Sequence, residues 1–166
     1  PVMIYNNPTA SGSDLEPALL GDIARAIPAV GALKESSGDA RRIAELVNRC
    51  PDVDVMVGGD DWALEGFCAG AAGWISGVGV VLPAQSVRLW ELCAAGDLAS
   101  ARRVYAELLP LGRLDMTPKL VQYFKTALDE LGLGGGRCRP PRLALTEDEL
   151  AILREAVGHA TSAAVS

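Results

Sequence analysis

The stretch Val30-Gly31-Ala32-Leu33-Lys34-Glu35-Ser36-Ser37-Gly38-Asp39 decides the architecture. A short apolar run ends on a lysine and gives way to a Ser, Gly and Asp turn, which reads as a strand entering a loop. Helical spacing follows, with Ile43, Leu46, Val47 and Cys50 on one face. The same unit recurs on both sides. Before it, residues 2–5 form an apolar run stopped by Asn6-Asn7-Pro8. Residues 14–27 then place Leu15, Leu19, Leu20, Ile23 and Ile27 on one helical face, with Ser13 or Asp14 as its cap. After it, residues 53–57 run into Gly58-Gly59-Asp60-Asp61, and a helix carries Leu64, Phe67 and Cys68. A fourth strand is expected over 73–78, followed by Pro83 and a helix around 87–94.

Past residue 97 the strand signals stop, and three helices are predicted, near 98–113, 118–131 and 147–160. Pro118 follows Thr117 at a first-turn position of the second, and Thr146 with Glu149 has the spacing of a capping box at the third. Residues 132–141, rich in Gly and Pro, separate them as a loop. Four successive strand–helix units imply parallel strands covered by helices, and short apolar strands suit that burial. Either a small doubly wound sheet or part of a (β/α)8 barrel fits. A complete barrel takes about 250 residues, and this sequence has 166. No G-x-G-x-x-G or P-loop follows the first strand, and Gly134-Gly135-Gly136 lies in a late loop with no strand before it.

Composition narrows the function classes. Hydrophobic residues make up 49% of the chain, enough for a core and too many for a disordered segment. A net charge of −6 with no basic stripe argues against nucleic acid as a partner, and no apolar stretch is long enough for a membrane span. Cys50, Cys68, Cys93 and Cys138 are scattered, and His159 is the one histidine. No metal site is expected from that spacing. The thiols read as reduced core residues and His159 as a surface residue. Nothing at the start reads as a signal peptide, so a cytoplasmic protein is expected.

In either architecture ligands bind at the carboxyl ends of parallel strands, which selects Tyr5, Lys34, the turn at 58–61 and residues 75–77. Val30, Ala32 and Lys34 alternate onto one face, so an amine at the mouth of an apolar interior would be partly desolvated and held in its nucleophilic form. A lysine leaving a strand for solvent has the same spacing. Tyr5 would point into the same mouth, where a phenol passes protons; a boundary tyrosine packing its ring reads alike. Asp60 and Asp61 stand before a helix and fit N-capping as well as ligand binding. Trp62, Trp74 and Trp90 read as packing residues.

Taken together, YNNP at 5–8, ALKESSGD at 32–39, VGGDD at 57–61 and GWISG at 73–77 resemble the dihydrodipicolinate synthase/N-acetylneuraminate lyase family. The likeness continues through TPKLVQYFK at 117–125 and RPPR at 139–142. It implies an α/β fold, a (β/α)8 barrel with a C-terminal helical extension, of which this chain resembles the second half. Strand–helix units five to eight would occupy residues 1–96 and the extension 97–166. It implies a lyase that works through a lysine Schiff base on pyruvate or another 2-keto acid, with no cofactor, and a homo-oligomer, by resemblance a tetramer. Lys34 matches the Schiff-base lysine, Tyr5 the proton-relay tyrosine, Gly59 the glycine of the turn lining the pocket, and Ile75 the residue whose carbonyl faces the imine. Asp60 and Asp61 would contact substrate hydroxyls.

Two departures shape the expectation. Synthases of the family resemble YNxPxR, with an arginine for the second substrate's carboxylate, and here that position is Ala10. Losing a bidentate clamp points toward an aldolase, dehydratase or deaminase on another 2-keto acid. The family's first four strands also have no counterpart, nor has the Thr-Thr pair that binds the keto-acid carboxylate. A non-catalytic binding or assembly module keeping the fold, or a true dihydrodipicolinate synthase, are the alternatives. The second half alone would expose two edge strands and the inward side chains Met3, Ala32 and Val55, and is not expected to be a stable, active enzyme.

Overall fold

The structure, a computed structural model, describes residues 1–162. The chain divides into two compact units, Pro1–Ser76 and Gly77–Ser166. The first is an α/β layer. Its strands are β1 (Val2–Asn6), β2 (Val30–Glu35), β3 (Asp54–Val57) and β4 (Gly73–Trp74), and its helices are α1 (Pro8–Ser11), α2 (Pro17–Ala26), α3 (Arg41–Arg49) and α4 (Ala63–Cys68). All the pairings are parallel and the sheet order is β1-β2-β3-β4. A doubly wound sheet reverses its order at a switch point; this one advances strand by strand, as a stretch of barrel does.

One face of the sheet carries Leu33, Val55 and Val57, all buried, and the helices add Leu20, Ile43, Leu46, Ala63 and Phe67 to the same core. Helix α4 lies so close to β3 that a Cβ on Gly66 would collide with the side chain of Val57. The ring of Phe67 meets Trp74 edge-on, centroids 6.0 Å apart, a favourable aromatic geometry. The other face, with Met3, Tyr5, Ala32, Lys34 and Met56, is half-buried or exposed.

Several expectations are corrected here. Val55 is 1% exposed and faces the helices; β3 sets Val55 beside Leu33 and Met56 beside Lys34, so Met56 takes the place expected of Val55. Val30 is buried although Ala32 and Lys34 are not, because the β1–β2 register slips, pairing Val2 with Val30 but Met3 with Ala32. An extra residue at Gly31 breaks the period-two alternation there. The fourth strand ends at Trp74 rather than at residue 78, and Val78 opens a helix. The helix expected over 14–27 starts only at Pro17, as α2, and the residue before it is Glu16, with no side-chain cap; α1 is a separate short helix in the loop that precedes it. Asp14 is drawn off to Arg42, whose guanidinium bonds both its carboxylate oxygens at 2.6 and 2.7 Å.

The second unit is helical: α5 (Val78–Val81), α6 (Pro83–Ala94), α7 (Leu98–Gly112), α8 (Leu120–Glu130) and α9 (Glu147–Ser162). Helix α6, counted with the strand–helix units in the sequence, clusters with the later helices. Leu89, Leu108, Leu111, Phe124, Leu153 and Ala160 form its core. The capping box is present at the start of α9: Thr146 N–H donates to Glu149 Oε2 at 2.7 Å, and Glu149 N–H to Thr146 Oγ1 at 3.3 Å. Lys119 donates to the same carboxylate at 2.6 Å. His159 is exposed as expected, whereas only Cys50 of the four free thiols is fully buried and Cys68 is exposed. No described helix is long and apolar enough to cross a membrane, and the described residues hold no cluster fit for a metal ion.

Strands β1 and β4 each have one neighbour in the sheet, and Val2, Met3 and Ile75 are exposed beside those edges. Unpaired edges flanked by apolar side chains recruit further strands. Residues 1–166 expressed alone are therefore expected to self-associate; light scattering showing a monodisperse monomer with a sharp urea transition would contradict this.

Candidate active site

The carboxyl ends of β1 and β2 bring Tyr5 and Lys34 together. They are register partners across the parallel pair, and the Lys34 ammonium lies 4.2 Å from the centroid of the Tyr5 ring, within cation–π reach. Tyr5 is 51% exposed and Lys34 half-buried, so both present their functional atoms on the open face. Asn7 Nδ2 donates to the phenol oxygen at 2.6 Å. The Tyr5 phenol is held below its ordinary value: burial works to raise it, but the Asn7 bond, the charge of Lys34 and the nearby hydroxyl of Ser36 outweigh burial. The Ser36 hydroxyl is itself buried without a partner of good hydrogen-bond geometry; its effect on Tyr5 is one of proximity.

One step further along the same strands, the next register pair is Asn6 and Glu35. Asn6 is 2% and Glu35 0% exposed. Asn6 Nδ2 donates to Glu35 Oε2 at 3.0 Å, and Ser37 N–H donates to Glu35 Oε1 at 2.5 Å. Asn6 Nδ2 also reaches Asp14 at 3.2 Å, while its Oδ1 accepts from Leu15 N–H at 3.0 Å. A buried carboxylate is tolerated only when its oxygens are bonded, and here both are. The sequence reading passed over this pair. A signal was present: alternation sends Glu35 to the face opposite Lys34, into the helices, where charged residues are rare.

The turn after β3 is shaped by close approach. A Cβ on Gly58 would overlap Ser36 and the Glu35 carbonyl oxygen, and one on Gly59 would overlap the Trp62 ring. These glycines let the end of β3 lie against the turn that follows β2. Asp60 and Asp61 fall inside a short 3-10 turn (Asp60–Trp62) rather than at a cap of α4, whose N-cap is Trp62. Asp60 is buried and Asp61 half-buried. Ile75 follows β4, its N–H bonded to the Val57 carbonyl at 3.0 Å and its side chain exposed. Gly59 and Ile75 thus stand at the same end of the sheet as Tyr5 and Lys34. Trp62 is buried, Trp74 packs on Phe67, and Trp90 is exposed on α6, so packing describes the first two better than the third. Position 10 is exposed on α1, where Ala10 N–H donates to the Asn7 side chain at 3.1 Å.

Residues 1–160 match the model of the dihydrodipicolinate synthetase family. Among curated relatives, the 4-hydroxy-tetrahydrodipicolinate synthase of Caldicellulosiruptor bescii is 30% identical over 160 residues, covering 95% of this chain and 53% of the relative. That of Methanoculleus marisnigri is 35% identical over 160 residues, covering 93% and 54%. The chain therefore spans about half the length of the curated relatives it matches. Of solved structures, the 4-hydroxy-tetrahydrodipicolinate synthase of Methylacidiphilum fumariolicum SolV superposes with a TM-score of 0.90 at 26% identity, covering 98% of this chain and 54% of that one. The dihydrodipicolinate synthase of Thermotoga maritima gives 0.88 at 28% identity, covering 95% and 55%.

Two outcomes are expected. In an NMR titration of ring-labelled tyrosines, Tyr5 ionises below the ordinary phenol value of 10.0. Tyr123, raised by burial and then by the charge of Glu149, ionises above it; titration of both together would contradict this. Asn6→Ala leaves Glu35 Oε2 buried without its donor and should destabilise the protein by about 1–3 kcal/mol, read as a lower urea midpoint.

Proposed function

The chain belongs to the dihydrodipicolinate synthetase family, and on that footing we propose that it carries the Schiff-base half of a lyase acting on a 2-keto acid such as pyruvate. We assign its strands to units five to eight of a (β/α)8 barrel, residues 1–96, with residues 97–166 as the helical extension. The complete subunit would be the active species, and a homo-oligomer.

The pairing of Tyr5 with Lys34 carries the reading. In the proposed reaction the neutral Lys34 amine attacks the keto carbon, its lone pair forming the C–N bond while the carbonyl oxygen takes a proton. Tyr5 supplies that proton and regains one from the attacking nitrogen, which gives a neutral carbinolamine; it then returns the proton to the hydroxyl, which leaves as water as the nitrogen lone pair forms the iminium. A phenol whose ionisation is eased, in part by Asn7, gives up its proton more readily than an ordinary tyrosine. The iminium then draws electrons from the neighbouring bond, so that carbon–carbon cleavage or loss of a leaving group becomes feasible. Gly59 and Ile75 would line the keto-acid site, the Ile75 carbonyl facing the imine, with Asp60 and Asp61 near substrate hydroxyls.

The exposed Ala10 favours a second substrate, or none, that needs no carboxylate clamp at that position. This separates the proposal from dihydrodipicolinate synthesis itself, the reaction in the names of the curated relatives. A module that kept only the fold would have no use for the Tyr5–Lys34 pair.

Borohydride reduction of the complete protein with pyruvate or a panel of 2-keto acids is expected to leave a reduced adduct on the peptide containing Lys34. Lys34→Ala should abolish it, and Tyr5→Phe should slow turnover by roughly 10²–10⁴-fold. Absence of any adduct on Lys34 across the panel would overturn the assignment.

A further inference from the structure

Far along the chain from Tyr5 and Lys34, one cluster of charge stands against the acidic balance of the whole. The net charge is −6, yet Lys125, Arg137, Arg139 and Arg142 line a single cavity of about 490 Å³. No carboxylate lines it, and apart from Cys138 its remaining walls are apolar. An adjoining cavity of about 500 Å³ shares Lys125, Arg137 and Arg142. Among the described residues these four cations take part in no ion pair, whereas Arg41, Arg42, Lys119 and Arg154 each have a carboxylate.

The cluster is built on anchored backbone. Lys125 Nζ donates to the Arg137 carbonyl at 3.1 Å, Gly136 N–H donates to both oxygens of Asp129 at 2.9 and 3.1 Å, and Gln122 Nε2 donates to the Leu143 carbonyl at 3.2 Å. Three successive sites on α8 therefore hold the loop on either side of the arginines. Within it, Arg142 N–H closes a turn on the Arg139 carbonyl at 3.2 Å. Asp129, the one acidic residue lining the adjoining cavity, is occupied by the Gly136 N–H.

Like charges gathered without counter-ions repel one another, and an anion among them removes that repulsion. Guanidinium groups bind phosphate and carboxylate oxygens bidentately, and an ammonium adds a point charge. Cavities of this volume hold small molecules. We propose that the cavity between α8 and the 136–143 loop is a binding site for a small polyanion bearing a phosphate group or clustered carboxylates.

The test uses the complete protein in low-salt buffer, with inorganic phosphate and citrate as probes. Calorimetry measures affinity, and peptide mass spectrometry measures the rate at which iodoacetamide alkylates Cys138. Saturable binding that weakens with added chloride and slows Cys138 alkylation is expected. Arg142→Ser and Lys125→Gln should each weaken it about tenfold, in line with loss of one charge-assisted contact. Arg154→Ser, which removes a cation paired with Glu130 outside the cavity, should leave it unchanged. Tighter binding of phosphate assigns a phosphorylated ligand, and tighter binding of citrate a polycarboxylate. The proposal is overturned if neither anion saturates, if the Arg142 and Lys125 variants bind like the parent, or if only a polyglutamate peptide protects Cys138.

Discussion

The hydrogen bond between Asn6 and Glu35 fixes what the sheet can present. Apolar alternation alone tells a parallel strand which face to bury, but strands sharing an apolar face can slide by two residues and keep that face inward. A buried carboxylate removes this freedom. Glu35 is sheltered from solvent, and only one alignment of β1 on β2 delivers the Asn6 amide to its Oε2 while Ser37 N–H reaches Oε1. That alignment sets Tyr5 opposite Lys34 on the preceding pair and turns both to the other face. The Asn6–Glu35 rung and the Tyr5–Lys34 rung are neighbours, and the first fixes the alignment of the second.

The two faces of the sheet divide the work. Leu33, Val55 and Val57 close against the helices, while Met3, Tyr5, Ala32, Lys34 and Met56 remain half-open or exposed. Period-two geometry assigns neighbouring residues to opposite faces, so Lys34 stands on the open face while Leu33 and Glu35 are committed to the interior. At the end of β3 the same closeness removes side chains altogether: Gly58 and Gly59 lie where any Cβ would strike Ser36, Glu35 or Trp62. The strand ends are thereby drawn into a compact rim with little freedom of backbone position.

Charge is placed as deliberately in the helical unit. Lys119 meets Glu149 at the first turn of α9, where a carboxylate also complements the helix terminus, and holds that carboxyl below its usual range. Lys125, Arg137, Arg139 and Arg142 meet no carboxylate around their cavity. Pairing in one place and its absence a few residues away distinguish cations that brace the fold from cations left open to a ligand.

What the sequence determined by itself was local. Periodicities of two and 3.6 gave four strand–helix units, the Asn-Pro, Ser-Gly and Gly-Asp turns marked the ends of the first three strands near Tyr5, Lys34 and Val57, and the Thr146–Glu149 spacing marked the start of α9. Each of these signals is complete within a few residues. The tertiary structure decided whatever depended on a partner distant in the chain. Pairing with Leu33 sent Val55 to the helix face, the slip at Gly31 buried Val30, and Arg42 took Asp14 away from a capping role. Glu35 was committed to Asn6, and the ionisation of Tyr5 was eased by Asn7 just past its own strand and by Lys34 on the neighbouring one. The loop and α8 brought Lys125 to the three arginines. Register, burial and charge pairing are energies between elements, and a one-dimensional pattern contains the elements without the alignment that joins them.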